Sequence, residues 1–544
     1  MKNFYSLLLL IFASAWVGLT AQTRYLHEVF DEVAVEKGIT YGNNISILTG
    51  DPAPLDLKMD VYTPVGDEET QRPVVVYFHT GSFLPPLISG GITGSLTDST
   101  LVEICTRLAK MGYTAIAATY RQGWLPTSED ANVRRKTLLQ AAYRGIIDAR
   151  TCVRYLRKSE QEDGNPYGID TEKIVLWGQG TGGYISLGAG VLDRYEELVV
   201  EKFIDTETGE PFVTLQIDGD PYGLIPSFLN VPNHVGYSSD FNLSVNMGGA
   251  LGDINWIEGE DAVIEEPATV GFHVVSDPFA PFGDGPVIVP TTQEFVVNVS
   301  GTLTATQRMN EVGANDVLAP VLGLNDPLTT KVSLIQLAGI TVDLTALGGS
   351  PNTPLATDHM YPFILPGPGP QSGPWDWWDK DRLDLVVAGF NAATGATLDP
   401  DELHANNLLT NPDMSAEKAK AYIDTIMAYY APRGCFALDL TECKNTLLGV
   451  NSVKVLEEVA SFDLLPNPAT DQVQVKFTLT EPNELSLMVF NAQGQMVQNN
   501  FLGRTQKGSQ NLIINTNQLP TGLYSVSLIN ERGEIKTKRL AINR

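Results

Sequence analysis

The sequence predicts an α/β protein with a doubly wound, mostly parallel sheet, followed by a small all-β sandwich. Short continuous apolar runs such as PVVVYFH, from Pro73 to His79, are typical of strands buried on both faces. Between residues 73 and 178 such runs alternate with helical patterns, which is the order of a parallel sheet built from crossover units. From Ser461 the pattern changes to short alternating strands separated by turns, which indicates the sandwich.

Length and charge limit what the protein can be. The chain has 544 residues, which is too long for one ordinary domain, and 43% of them are hydrophobic, enough for a large packed body. Acidic residues outnumber basic residues 64 to 36, giving a net charge of −28. This charge argues against the phosphate backbone of a nucleic acid or an anionic membrane surface as a partner.

The first 21 residues have the pattern of a secretory signal peptide. Lys2 supplies the positive start, an apolar stretch runs from Leu7 to Val17, and the segment ends on the small residue Ala21. The alternative is a membrane anchor, but the stretch is shorter than the roughly 20 residues that a spanning helix needs. We therefore expect export, cleavage after Ala21 and no transmembrane span in the mature chain.

The main domain is predicted to extend over residues 22–443, and its elements follow in a regular order. Two strands fall within residues 44–63, and the apolar strand at 73–79 leads into a loop rich in Gly and Pro. The remaining elements are a helix at 99–111, a strand at 114–120, a helix at about 135–158, a strand at 174–178, an excursion at 200–242, strands near 244–252 and 269–276, a weakly periodic insertion at 283–358 with one helical stretch near 304–318, and a closing helix at 415–430.

Two glycine-rich segments follow strands of this sheet, where an α/β sheet presents its chemistry. After the strand at 73–79, HTGSF offers small residues that let backbone N–H groups face a developing oxyanion, although it could be an ordinary glycine turn. After the strand at 174–178, GQGTGG leads into an apolar helix, which is the pattern of a nucleophile elbow with Gly180 at the nucleophile position. A phosphate-binding loop is the alternative, but no lysine follows the glycines.

An acidic residue and a histidine follow the elbow in chain order. Asp277 comes directly after an apolar strand, and His359 follows about eighty residues later. The order elbow, acid, histidine predicts His359 as a general base and Asp277 as the residue that orients it. His404 is the alternative base because it also precedes the closing helix, although its DELHANN setting is typical of a solvated turn.

Residues 52 to about 435 resemble the α/β-hydrolase superfamily, in particular its secreted carboxylesterase, lipase and feruloyl-esterase-like branch. This resemblance implies the α/β-hydrolase fold, acyl-ester hydrolysis and a small-molecule ester, or another acyl or sugar compound, as ligand. The segments that carry it are LDLKMDVYTP, RPVVVYFHTGSF, LAKMGYTAIAATYRQGW, DARTCVRYLRKSE, YGIDTEKIVLWGQGTGG and SDPFAPF.

The resemblance also assigns the site. The HGGGF motif of the family becomes HTGSF, which begins at His79 and implies an oxyanion hole formed by the amides of Gly81, Ser82 and Thr181. The GxSAGG motif becomes GQGTGG, so Gly180 replaces the nucleophilic serine.

Because glycine carries no nucleophile, the sequence leaves the activity open. Thr181 could replace the serine, or His359 could activate a water in the space that Gly180 leaves. Alternatively, the protein is a catalytically inactive pseudo-hydrolase that acts as a cell-surface binding protein. The cholinesterase-like adhesion proteins, such as neuroligins, also carry glycine at this position and act as binding modules. A carboxylesterase- or lipase-like hydrolase and a binding protein therefore both remain possible.

The C-terminal segment resembles the type A sorting domain of the type IX secretion system of Bacteroidota. The resemblance covers residues 461–544, after a linker at 444–460, and implies handling by that secretion machinery, removal of the tail, and release or attachment at the cell surface. A carbohydrate-binding sandwich is the alternative. The motifs are LLPNPATDQVQVKF, VFNAQGQMV, LPTGLYSVSL and KTKRLAINR.

The four cysteines divide into two pairs. Cys435 and Cys443 enclose a short loop and are predicted to form a disulfide, which export permits. If the strand order is that of the hydrolase family, successive crossovers place Cys105 and Cys152 on opposite faces of the sheet, and both are expected to be free and buried.

The remaining signals are weaker. Trp375, Trp377 and Trp378 could stack on a sugar ring or an acyl group near His359, or they could cap the core. The acidic clusters DTETGE and LDPDELH lack the spacing of a known calcium loop. We therefore expect no metal and no cofactor.

Overall fold

The computed structural model describes residues 23–289, 292–367, 369–449, 456–491, 496–530 and 534–543. The signal peptide predicted at 1–21 lies outside these residues. The chain divides into two compact units, one ending at Leu447 and the other beginning at Leu448. No helix among the described residues has the length and apolar character needed to cross a membrane.

An eight-stranded sheet forms the centre of the first unit. The strands lie in the order β1-β2-β4-β3-β5-β6-β7-β8; β2 pairs antiparallel with β1 and β4, and the remaining neighbours are parallel. This arrangement is the α/β-hydrolase fold, and the predicted fold class is confirmed. The strands are β1 (Val33–Ser46), β2 (Ala53–Pro64), β3 (Arg72–Phe78), β4 (Thr114–Ala118), β5 (Ile169–Gln179), β6 (Leu243–Met247), β7 (Ala268–Val274) and β8 (Met360–Phe363).

Helices cover both faces of this sheet. One core packs against the second and third helices and contains Cys152, and the other packs against the first and ninth helices and contains Cys105. Both cysteines are free and buried, as expected. The helices are α1 (Ser99–Lys110), α2 (Ala131–Glu162), α3 (Thr181–Val191), α4 (Leu215–Asp218), α5 (Thr302–Glu311), α6 (Pro327–Leu337), α7 (Lys380–Thr394), α8 (Pro400–Leu408), α9 (Ala416–Ala437) and α10 (Thr441–Leu447).

A disulfide joins the last two helices of this unit. Cys435 on α9 and Cys443 on α10 are bonded, with their Cα atoms 6.0 Å apart. Both half-cystines are buried in the same core as α1 and α9, so the cross-link closes the short turn that ends the unit.

The insertion contains more regular structure than its weak periodicity indicated. The helical stretch predicted near 304–318 is α5, which ends at Glu311, followed by a 3₁₀ segment at Asp316–Gly323, and α6 is a second helix that the pattern did not predict. Strands Ala250–Leu251, Asp284–Ile288 and Phe295–Gly301 form a separate three-stranded sheet, and Thr341–Val342 pairs with Thr353–Pro354.

Buried arginines on α2 hold the excursion between α3 and β6. Arg150 donates to the carbonyl oxygens of Ala189, Leu192 and Pro221 at 2.7–3.0 Å. Arg154 donates to the carbonyl oxygens of Tyr222 and Asn233 at 2.8 and 3.0 Å. These guanidinium groups satisfy loop carbonyls that the packed interior removes from water.

The second unit is an all-β sandwich, as predicted. Its strands are antiparallel and form two sheets, β9-β10-β13 and β12-β11-β14-β15, around one apolar core. The strands are β9 (Val459–Leu465), β10 (Gln472–Leu479), β11 (Asn483–Phe490), β12 (Met496–Thr505), β13 (Gly508–Asn515), β14 (Gly522–Asn530) and β15 (Ile535–Ile542).

Replacing Arg150 should destabilise the first unit. We expect Arg150→Leu to reduce its free energy of unfolding by about 3 kcal/mol or more, because three buried carbonyl oxygens lose their donor. Unfolding in guanidinium chloride measures the change. Arg382→Ala, on an exposed side chain of α7, is the control and should change stability by less than about 0.5 kcal/mol. Equal effects of the two substitutions would contradict the anchoring role.

Candidate functional site

Gly180 forms a sharp turn between a strand and a helix at the carboxyl edge of the sheet. It follows the end of β5 and precedes the first residue of α3, with φ 54° and ψ −115°, a conformation that favours glycine. Its amide donates to the carbonyl oxygen of Met247 at 2.9 Å. This is the geometry of a nucleophile elbow, with the nucleophile position held by a residue without a side chain.

The glycines around Gly180 allow α3 to approach the sheet closely. A Cβ atom on Gly182 would lie 2.0 Å from the carbonyl oxygen of Phe78, and one on Gly183 would lie 2.3 Å from Asn246 Oδ1. A Cβ atom on Gly178 would lie 1.8 Å from the carbonyl oxygen of Gly182. Any larger residue at these three positions would push the helix away from β3 and β6.

The side chain of Thr80 occupies the space next to Gly180. A Cβ atom on Gly180 would lie 2.2 Å from Thr80 Oγ1 and 3.1 Å from Thr80 Cβ. Thr80 and Gly180, the two positions where this chain differs from the hydrolase motifs, are therefore in contact. The sequence shows each substitution separately, and the signal that links them is that the HTGSF and GQGTGG motifs both follow strands of the same sheet.

The loop after β3 keeps its backbone amides available. Ser82 and Phe83 both have positive φ, 55° and 54°, which is uncommon for residues other than glycine and is typical of functional loops. Trp124 Nε1 donates to the carbonyl oxygen of Ser82 at 2.7 Å and supports this conformation. Within the described chain, the amides of Gly81, Ser82 and Thr181 donate to no acceptor, so they can bind a carbonyl oxygen.

The side chains of Thr181 and His79 belong to the support of this loop. Thr181 Oγ1 lies 2.8 Å from the hydroxyl of Tyr120, which also donates to the carbonyl oxygen of His79 at 3.0 Å. The His79 ring stacks on Tyr120, with its Nδ1 2.6 Å from the carbonyl oxygen of Thr80. Burial lowers the pKa of His79 to about 4, so the ring is neutral. Both side chains thus make contacts with Tyr120, and the role of Thr181 as a nucleophile stays a prediction.

Asp277 lies at the carboxyl edge of the sheet, beyond the end of β7. Its Oδ1 accepts hydrogen bonds from the amides of Phe279 and Ala280 at 2.7 and 3.3 Å. Burial raises its pKa to about 7. Its Oδ2 is 3.8 Å from His273 Nε2, but that nitrogen is 3.1 Å from the carbonyl oxygen of Ala280, and burial lowers the pKa of His273 to about 4.

His359 lies at the amino end of β8, and the prediction that it pairs with Asp277 is wrong. Its carbonyl oxygen accepts from the amide of Gly271, the middle residue of β7, whereas Asp277 lies beyond the carboxyl end of β7, after a turn. Asp277 lines the cavity described below, and His359 is not among the described lining residues. Burial and the charge of Arg433 also lower the pKa of His359 to about 3. The error arose because chain order does not reveal whether a histidine precedes or follows its strand.

The segment that follows β8 carries tryptophan and aspartate at the carboxyl edge. A Cβ atom on Gly248 would lie 3.7 Å from Trp375 Cζ2 and 3.9 Å from Asp277 Oδ2, so both groups border the same space. Asp376 accepts from Thr100 Oγ1 at 2.7 Å and from Gln179 Nε2 at 2.9 Å, and burial raises its pKa to about 6. Asp376 is a site residue that was not predicted from the sequence, because it lies in the irregular segment between β8 and α7.

The other two tryptophans differ in position. Trp378 lines the cavity described below. Its Nε1 donates to His404 Nδ1 at 3.0 Å, so this nitrogen of His404, the alternative base, already has a hydrogen-bond partner. Trp377 lies outside the lining, with the ammonium group of Lys420 6.0 Å from its ring centre. Two of the three tryptophans therefore face the cavity.

A cavity of about 910 Å³ opens beside Gly180. One part is an apolar chamber lined by α2, the excursion and the three-stranded sheet, and another part is polar and lined by asparagine, serine and threonine around α8. Among the described residues that line it there is no Lys, Arg or His, and the charged groups are Asp277 and Asp376. The chamber includes Leu138, Ala142, Ile146, Phe203, Val213, Val297 and Val299.

An acidic cluster lies outside this cavity lining. Oxygen atoms of Asp193, Glu197 and Glu258 lie within 4.8 Å of one another. Arg194 supplies positive charge: its Nε is 3.4 Å from Asp193 Oδ1, and its Nη2 pairs with Glu258. The cluster thus has a counter-ion within the chain.

The sheet, the elbow and the loop of free amides define an esterase-like α/β-hydrolase domain. Comparison with known families agrees: residues 59–224 match the BD-FAE family model, and residues 463–543 match the secretion system C-terminal sorting domain. The chain therefore carries an esterase-like domain and a type IX sorting domain. No match to a curated protein sequence is found.

Solved structures of one bacterial esterase are similar to the chain at low scores. Thermogutta terrifontis Est2 with propionate bound is 16% identical, with 66% of this chain and 94% of that chain covered and a TM-score of 0.30. The native form of the same esterase is 16% identical, with 66% of this chain and 92% of that chain covered and a TM-score of 0.30. The butyrate-bound form is 17% identical, with 63% of this chain and 90% of that chain covered and a TM-score of 0.29.

A side chain at position 180 should be coupled energetically to Thr80. We expect Gly180→Ala to reduce the free energy of unfolding by roughly 2–3 kcal/mol, because a positive φ and a contact with Thr80 Oγ1 both oppose a Cβ atom. In a Thr80→Gly background the cost should fall by about 1 kcal/mol or more. Gly66→Ala is the control, because Gly66 has φ 79° but no atom within 4 Å of its Cβ position. Equal costs at Gly180 in both backgrounds would contradict the coupling.

The buried carboxyl of Asp277 should destabilise the protein at high pH. Its pKa of about 7 is above the ordinary 3.8, so the folded chain holds this proton more tightly than the unfolded chain. The resulting cost is absent below pH 4 and complete above pH 7. We expect Asp277→Asn to raise Tm at pH 8 and to leave it unchanged at pH 4, because asparagine still accepts from the Phe279 amide.

Thermal unfolding followed by circular dichroism at the two pH values checks this prediction. Asp381→Asn on α7 is the control, since that side chain is exposed and its loss should have little effect at either pH. A lower Tm for Asp277→Asn at pH 8 would show that the charged form is stabilised by groups of the protein.

Proposed function

We propose that this exported protein binds a small-molecule ligand in its esterase-like cavity without hydrolysing it. One observation carries the proposal: the elbow has glycine at the nucleophile position, and the described lining of the cavity contains Asp277 but no histidine. His273 Nε2 is 3.8 Å from Asp277 Oδ2 but is buried 3.1 Å from the Ala280 carbonyl oxygen, and His359 precedes β8. Hydrolysis of an ester by this fold needs all three groups.

The groups of the site that could bind a ligand are the free amides and the apolar chamber. The amides of Gly81, Ser82 and Thr181 are free to donate to a carbonyl oxygen, and the apolar chamber belongs to the same cavity. Loss of the triad in a serine hydrolase removes about six orders of magnitude of rate and leaves the contributions of the oxyanion hole and of binding. An ester or another acyl compound would therefore remain bound and intact in this cavity.

Slow hydrolysis is the second candidate, and the position of Asp277 favours it. Its Oδ2 borders the cavity, and a carboxylate with a pKa of about 7 is a competent general base at neutral pH. The base would then be Asp277 acting on water, with Thr80 Oγ1 near the vacant nucleophile position.

The sorting domain supports secretion or display at the cell surface. Its match at residues 463–543 is the basis for handling by the type IX secretion machinery. Together with the signal peptide predicted at residues 1–21, it supports a mature protein that has lost both ends and is collected outside the cell. The ligand would then be an extracellular compound.

Hydrolysis of p-nitrophenyl butyrate by the purified chain distinguishes the two candidates. We expect no rate above that of buffer, and the same for Asp277→Asn. Turnover that disappears in Asp277→Asn but persists in Asp381→Asn would establish the slow hydrolase and overturn the proposal.

Ligand binding is followed separately through the fluorescence of Trp375 and Trp378, which line the cavity. We expect Ala142→Phe to weaken ligand binding, because the larger side chain fills part of the chamber.

A further inference from the structure

The charged groups that face the cavity are all of one sign. Among the described lining residues, Asp277 and Asp376 carry charge and no cationic side chain is present. Asp376 is already satisfied by Thr100 and Gln179, which donate to its oxygens at 2.7–3.0 Å. The charge available to a ligand is therefore that of Asp277.

One oxygen of Asp277 has no partner suited to a carboxylate. Oδ1 is used by the amides of Phe279 and Ala280, whereas Oδ2 faces the space above Gly248. The nearest nitrogen of a titratable group, His273 Nε2, is 3.8 Å away and close to the Ala280 carbonyl oxygen. A buried carboxylate with donors on only one oxygen is costly, so a ligand that brings a positive N–H group to Oδ2 would gain both a hydrogen bond and charge neutralisation.

Aromatic side chains line the cavity that this oxygen borders. Trp375 Cζ2 borders the same space above Gly248, and the pKa of Tyr184 is raised by burial and, second, by the charge of Asp277. Both rings belong to the cavity lining, together with Phe279. Aromatic faces attract ammonium groups and repel carboxylates, so they favour the same sign of ligand charge as Asp277 does.

We infer that the ligand is an amine in its ammonium form, attached to an apolar body: the ammonium group pairs with Asp277 between Trp375 and Tyr184, and the body lies in the chamber beside α2. This inference rests on the proposed function and names its ligand class. The free amides of Gly81, Ser82 and Thr181 accommodate a carbonyl oxygen of the same molecule, whereas a free carboxylate would meet the negative charge of Asp277.

Three probes that differ only in the head group test the inference: 4-phenylbutylamine, 4-phenylbutanol and 4-phenylbutyrate. Their affinities for the full chain are measured by titration calorimetry at pH 8, where an alkylammonium group stays protonated. We expect the amine to bind at least tenfold more tightly than the alcohol, and the carboxylate to bind most weakly. Asp277→Asn should weaken the amine at least tenfold and change the alcohol less than twofold.

The alcohol also shows whether the variant is folded, because its binding does not depend on the charge. Asp381→Asn should leave all three affinities unchanged. Equal binding of amine and alcohol by the native chain, preference for the carboxylate, or no binding of the amine would overturn the inference, and the native ranking decides it even if Asp277→Asn fails to fold. Hydrolysis of p-nitrophenyl butyrate remains a separate test of the proposed function.

Discussion

The close contact between α3 and the central sheet determines the geometry of the site. Gly178, Gly182 and Gly183 have no room for a Cβ atom, because backbone atoms of β3 and the elbow and the side chain of Asn246 lie within 2.3 Å of those positions. This packing directs the first amide of α3 toward the cavity and fixes the turn at Gly180. Since the constraint is one of backbone packing and not of chemistry, the elbow keeps its shape without a nucleophile.

Gly180 has no side chain, and the side chain of Thr80 fills the space beside it. Thr80 Oγ1 lies where a side chain at position 180 would begin, so the space that a serine would need is filled by a β-branched residue with restricted rotamers. The amides of the neighbouring loop nevertheless stay free. The proposed binding role rests on these two features: free amides that can donate to a ligand carbonyl oxygen, and glycine at the position where a serine hydrolase has its nucleophile.

The sequence predicted the features that depend on local pattern. Buried strands, the elbow and the position of Asp277 after β7 all follow from short apolar runs and the residues next to them. His359 could not be placed, because β8 is only four residues long and too short to reveal on which side of it the histidine lies. The contact of Thr80 with Gly180 joins residues 100 positions apart, and no periodicity reports such a contact. The role of Trp375 beside Asp277 depends on the loop after β8, which has no regular structure.

The local turn at Asp277 does not require a charged side chain. Its Oδ1 accepts from two following amides, a turn that an asparagine would form equally well without burying a charge. Burial raises its pKa to about 7, so the charged form is disfavoured in the folded protein. A group whose charge is costly to the fold and whose second oxygen faces an apolar, aromatic cavity gains a favourable role once a cation binds there. Burial of the Asp277 carboxylate therefore explains both effects: it lowers the stability of the fold, and it favours a positively charged ligand in the cavity.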